Sequence, residues 1–105
     1  MQKNLQILDC TLRDGGYYNN WNFSKSFVQK YINILSQTNI KYVEIGFRSK
    51  SKDKNIGYTG YTDDNFLSKI NFPKSLSIGV MINSSELFEN NNNLRIKEFF
   101  PKKKP

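Results

Sequence analysis

The chain has 105 residues, with 16 Lys and Arg against nine Asp and Glu for a net charge of +7, one cysteine and no histidine. That length holds one domain and not two, and no apolar run approaches the roughly 20 residues that span a bilayer. The absence of histidine excludes a Ser-His-Asp triad, a Cys-His dyad and any histidine-ligated metal site complete within the chain.

Cys10 cannot make an internal disulfide, which fits a reducing, cytoplasmic setting. Residues 1–10 hold no apolar stretch of signal-peptide length. Mean hydropathy is −0.65, yet 14% aromatic residues can fill a modest core and argue against disorder.

In chain order, Leu5-Gln6-Ile7-Leu8 is a β-compatible apolar run with Asp9 directly behind it. Gly15-Gly16 and Asn19-Asn20 then mark a loop. Ser24 is placed as a helix N-cap, with Phe23 before it as a staple residue. From there Phe27, Val28, Tyr31, Ile32, Ile34 and Leu35 recur at helical spacing as one wide apolar face, and the helix is expected to stop near Gln37 to Asn39.

Tyr42-Val43-Glu44-Ile45 gives a second strand, closed by Gly46. A polar stretch from Arg48 to Thr62 follows, containing the near-duplicates Gly57-Tyr58-Thr59 and Gly60-Tyr61-Thr62, which are too short to be a structural repeat. Asp63 or Asp64 can cap a short helix through Phe66, Leu67 and Ile70, ended by Pro73. Leu76 to Ile82 reads as a third strand, and Ser84 or Ser85 starts a helix around Leu87 and Phe88. The order β-α-β-α-β with a trailing helix implies parallel strands joined by right-handed crossovers. Three such strands are marginal as a free-standing domain, so the chain reads as the start of something larger.

The positive charge is scattered. Lys25, Lys30 and Lys41 fall in one segment and Lys50, Lys52 and Lys54 in a loop-like one, while Lys102, Lys103 and Lys104 form a basic tail over residues 101–105. Such a balance supports weak, salt-sensitive binding to acidic surfaces. A small basic binding or interaction module is therefore the alternative reading. Against nucleic acid, the lysines do not interleave with aromatics on one face.

The chemistry-bearing segment is Asp9-Cys10-Thr11-Leu12-Arg13-Asp14-Gly15-Gly16, at the end of the first strand. In parallel α/β folds ligands gather at the carboxyl ends of strands. Asp9, Arg13 and Asp14 can approach one small site there, and adjacent parallel strands would set Glu44 beside them. A carboxylate suits Mg²⁺ or Mn²⁺, and a guanidinium stabilises negative charge on an enolate or alkoxide. The bland alternative is a loop salt bridge from Arg13 to Asp14 or Asp9, with Glu44 solvated.

Asp9-Cys10-Thr11-Leu12-Arg13-Asp14-Gly15 resembles the Asp-x-Thr-Leu-Arg-Asp-Gly signature of the pyruvate carboxyltransferase/HMG-CoA lyase-like TIM barrels, the DRE-TIM metallolyases. Val43-Glu44-Ile45-Gly46 is similar to that family's second-strand motif, and Gly16 to Phe23 looks like its aldolase-type branch. The resemblance spans roughly residues 5 to 83. It implies an α/β fold that is the N-terminal part of a (β/α)8 barrel, with residues 1–100 as a partial barrel domain.

The resemblance also implies a divalent-metal-dependent aldolase or lyase acting on C–C bonds of a 2-oxo acid-type substrate. Arg13 would polarise the substrate carbonyl, Asp14 would bind the Mg²⁺ or Mn²⁺ ion, and Glu44 would support the arginine. Gly16-Tyr17 departs from the pair that follows the glycine in the synthases and lyases. The family's other metal ligands are a His-x-His pair on a late strand, and this chain has no histidine. A whole barrel needs roughly 250 residues. The expectation is therefore an N-terminal fragment, inactive alone, whose partners are a small carbonyl substrate and the missing barrel half or a complementing chain, with no membrane.

Two further residues are candidates. Tyr17 can line a substrate pocket, together with Tyr18 and Trp21. Arg48, which follows Gly46-Phe47 at the second strand's end, can bind a carboxylate. Cys10 reads as a small packed residue, with no histidine to act as its base.

Overall fold

The fold is taken from a computed structural model, which describes residues 5–49, 54–89, 93–94 and 99–100. The basic tail, Lys50 and Lys52 lie outside the described residues.

The first strand, β1 (Leu8–Asp9), runs into helix α1 (Thr11–Gly15) and a 3₁₀ turn (Gly16–Tyr18). Helix α2 (Lys25–Leu35) leads to β2 (Tyr42–Phe47), two short helices α3 (Tyr58–Tyr61) and α4 (Asp64–Ser68), and then β3 (Ser77–Met81). Helix α5 (Ser84–Leu87) is followed by an antiparallel pair, β4 (Phe88–Glu89) with β5 (Asn93–Leu94). The main sheet has three strands in the order β1-β2-β3, and both pairings are parallel.

The expected α/β order with parallel strands is present, with four local corrections. The apolar run at Leu5 to Leu8 is not itself the strand. Leu8 pairs with Tyr42 and Asp9 with Val43, and β2 itself begins at Tyr42, so the pairing starts only at the last residue of that run. Leu5, Ile7 and Leu8 are exposed. Gly15 and Gly16 are helical, with φ of −67° and −63°, and not a loop. The polar stretch after Arg48 contains α3. Phe88 opens a strand and does not continue a helix.

Local capping fixes the helices. The Ser24 hydroxyl accepts from Phe27 N at 3.1 Å, and of the two candidate caps for α4 it is Asp63 that accepts, from Phe66 N at 2.8 Å. Each cap stabilises its helix by about 1 kcal/mol. Helix α2 buries Val28, Ile32 and Leu35 against Leu12, Val43, Ile45, Phe66, Ile70 and Leu76. Each such side chain contributes about 1.5–3 kcal/mol on burial. The apolar face of α2 is narrower than its sequence suggests, since Phe27 and Ile34 are exposed. Phe27 stacks between Phe23 and Tyr31, with ring centroids 5.5 and 6.3 Å away.

Two features place the site. The β2–β3 register slips between Glu44 and Gly46, a bulge that breaks strict alternation and leaves Ile45, Gly46 and Phe47 all buried. The Gly57 to Thr62 segment then packs on the end of β2. A Cβ on Gly46 would overlap the Thr59 carbonyl, so only glycine lets α3 approach.

Candidate active site at the strand ends

The Asp9 carboxylate at the end of β1 turns the chain into α1. Its Oδ1 accepts from Thr11 N at 3.1 Å and its Oδ2 from the Thr11 hydroxyl at 3.2 Å. The Tyr31 hydroxyl, reaching across from α2, donates to the same Oδ2 at 2.7 Å. Burial raises the Tyr31 pKa; the hydrogen bond and charge of Asp9 push the same way, and outweigh the opposing bond with Thr11. The phenol thus stays protonated as a donor. Tyr31 reads in the sequence only as a core residue of α2; the available signal was that a Tyr on an apolar helix face needs a partner for its hydroxyl.

With Asp9 so occupied, Arg13 pairs with Glu44 on the neighbouring strand. Arg13 Nε donates to Glu44 Oε1 at 3.1 Å, and NH2 lies 3.0 Å from the same oxygen. The two side chains are 20% and 15% exposed. Glu44 is therefore not a solvated strand end, and of the two loop pairings open to Arg13 the structure has the one with Asp14, at 3.8 Å, and not the one with Asp9. Burial pulls the Arg13 pKa down, but the hydrogen bond and charge of Glu44 outweigh it, and the net direction is up. The guanidinium is therefore a permanent cation.

Asp14 sits beside this pair, its Oδ1 3.8 Å from Arg13 NH1, with its side chain 73% exposed. A cavity of about 450 Å³ at the end of β1 is lined by Asp9, Asp14, Cys10 and Thr11 among others. As a cation site the donor set is incomplete. Both Asp9 oxygens are engaged, Asp14 supplies one carboxylate, and Mg²⁺ takes about six ligands. Among the described residues no group of three or more His, Cys, Asp or Glu could hold a metal.

Arg48 is placed differently from the others. Its side chain is 8% exposed, NH2 donates to Asp64 Oδ1 at 3.0 Å, and NH1 donates to the Phe99 carbonyl at 2.6 Å. The guanidinium also lies over the Phe100 ring, 5.0 Å from its centroid. The carboxylate it binds in this structure belongs to its own chain.

Tyr17 lies half on the surface, with its ring 4.9 Å from that of Trp21 and 6.2 Å from that of Phe47. Trp21 itself donates its indole N–H to the Arg13 carbonyl at 2.8 Å. Tyr18 is almost fully exposed. Arg13, Asp14 and Glu44 thus converge with Trp21 at their back, while Arg48 is tied elsewhere.

No protein-family model and no curated protein matches the chain. Among solved structures it is similar to the crystal structure of the N-terminal domain of a putative aldolase from Bacteroides vulgatus, at 40% identity and a TM-score of 0.70. The fold matches an aldolase N-terminal domain. The likeness covers 78% of this chain and 27% of that one, so the chain spans only about a quarter of the length of its structural neighbour. Among the described residues no helix is long and apolar enough to cross a membrane.

Proposed function

We propose that this chain is the N-terminal section of an aldolase or lyase catalytic domain of the DRE-TIM metallolyase kind, a (β/α)8 barrel acting on C–C bonds of a 2-oxo acid-type substrate. The observation that carries the reading is the pair between Arg13, on the helix that follows β1, and Glu44 on the neighbouring parallel strand, just past the carboxyl end of β1. The Bacteroides vulgatus structure supports it at the level of fold and sequence.

In this reading Arg13 receives the carbonyl oxygen of the substrate. Glu44 holds Nε and NH2, which leaves the NH1 edge for that oxygen. As a carbon–carbon bond breaks or a proton leaves the neighbouring carbon, charge grows on the oxygen. A fixed cation beside it stabilises the enolate more than the ketone. Glu44 is a positioning residue, keeping the guanidinium from swinging into solvent. Among the described residues of the site, Asp14 would be the carboxylate left to ligate a Mg²⁺ or Mn²⁺ ion, with the remaining ligands supplied by the rest of the barrel or a complementing chain.

Exchange of pyruvate methyl hydrogens in D₂O, followed by NMR on the intact gene product, tests the reading. Arg13→Ala is expected to lose at least about 100-fold in exchange rate, in line with loss of an oxyanion donor. Unchanged exchange in that variant would sink the assignment.

A further inference from the structure

The second cavity of the site has about 210 Å³ of space and is lined by Tyr17, Trp21, Phe47, Ile56, Asn83 and Glu86 among others. Its wall is an aromatic cluster: Trp21 meets Phe47 edge to face at 5.5 Å and Tyr17 at 4.9 Å. The chain goes to some lengths to hold Trp21 there. Its φ is +57°, following Asn20 at +55°, and a bulky residue in the left-handed region costs about 1–3 kcal/mol. A Cβ on Gly16 would overlap the Trp21 indole, and one on Gly57 would overlap the Trp21 carbonyl. Backbone strain that persists against such a cost clusters at functional sites.

The cavity is linked to the reacting end of the site through Trp21. Trp21 bonds the Arg13 carbonyl, and Phe47 lies three residues beyond Glu44 on β2, about 10 Å along a strand. The lining also selects by charge. Glu86, whose Oε1 accepts from the Ser49 hydroxyl at 2.9 Å, places a carboxylate in the cavity wall. An anionic group there would meet like charge.

We infer that this cavity is the seat of an uncharged, largely apolar substituent of the substrate, up to the size of one six-membered ring, carried by the carbonyl compound that Arg13 engages. A dry cavity of about 150 Å³ accepts benzene, so the space here takes a single ring or a branched alkyl group. The inference rests on the aldolase reading for the carbonyl end. The ligand class of the cavity rests on its lining alone.

Trp21 is the single tryptophan of the chain, so its emission reports occupancy directly. Cyclohexanol, which is uncharged and transparent at the exciting wavelength, is expected to shift that emission saturably in the 105-residue chain, with a Kd on the order of 1 mM. Cyclohexanecarboxylate is expected to bind about tenfold more weakly, and Glu86→Gln to close most of that gap. Asn83→Phe, at an exposed position on the lining, is expected to abolish the cyclohexanol response while far-UV circular dichroism stays unchanged.

A folded chain with no saturable response, a response that survives Asn83→Phe, or equal binding of the two probes would each overturn the inference. Cyclohexanol binding by a gene product that exchanges the C3 hydrogens of neither pyruvate nor 3-cyclohexyl-2-oxopropanoate would support the cavity's ligand class and overturn the aldolase reading instead.

Discussion

Replacing Glu44 by Gln keeps the shape of the side chain and removes its charge. Arg13 would then sit 20% exposed with its main counter-charge gone. At 3.0 Å and an effective dielectric near 20, the gross attraction lost is about 5 kcal/mol. The solvation that Glu44 gives up on folding offsets more than half of it. A net destabilisation of about 2 kcal/mol is expected, equal to a fall of about 8–16 °C in Tm for a domain of this size.

Urea unfolding followed by Trp21 emission measures the change, with an unchanged m-value showing that stability and not compactness has moved. Arg13→Met and the double variant complete a cycle, whose coupling energy should also be about 2 kcal/mol. Arg13→Lys keeps the charge without the Nε and NH2 fork and should fall between parent and Arg13→Met. A Glu44→Gln variant within about 0.5 kcal/mol of the parent, or a coupling energy near zero, would refute the claim that this pair organises the strand ends.

Tyr31→Phe removes the donor to Asp9 and should cost about 1–2 kcal/mol near neutral pH. Because the folded-state pKa of Tyr31 is raised, its contribution is complete below about pH 10 and is lost as pH rises through the folded value; the parent should therefore lose stability more steeply above pH 10 than Tyr31→Phe, as read by urea midpoints. Gly46→Ala forces the Thr59 carbonyl off the end of β2 and should cost at least about 3 kcal/mol or prevent folding, visible by circular dichroism. Asp63→Ala removes the α4 cap and should lower stability by about 1 kcal/mol without moving Trp21 emission.

What the sequence made legible is what local chemistry decides. Ser24 announces its cap, and the Asp63-Asp64 pair narrows that of α4 to two residues, because the acceptor and the amide it binds lie three residues apart. The approach of Arg13 to Glu44 was readable as one of two arrangements, since adjacent parallel strands bring the two motifs side by side; the structure decides for it over a solvated Glu44. Tertiary partners hid the rest. The start of β1 depends on where β2 begins, through the pairing of Leu8 with Tyr42. Gly15-Gly16 has the composition of a loop, but Gly16 is small because the Trp21 indole fills the space its side chain would need. Arg48 finds its partners 16 and 51 residues away in Asp64 and Phe99, separations that no motif encodes. Phe47 gave no sign of lining a cavity, because the bulge after Glu44 changes which face it takes.

The position of Trp21 bears on how such a site can change over generations. One indole both walls the cavity and braces the backbone of Arg13, and two glycines distant from each other in the chain make its room. Substitutions that reshape the cavity through Trp21 therefore reach Arg13 as well, and their effects will depend on which of the others came first. Drift at positions 16, 21 and 57 should be strongly epistatic, with few single steps tolerated. Asn83, on an exposed part of the lining, is the place where a descendant could alter its ligand without disturbing the arginine.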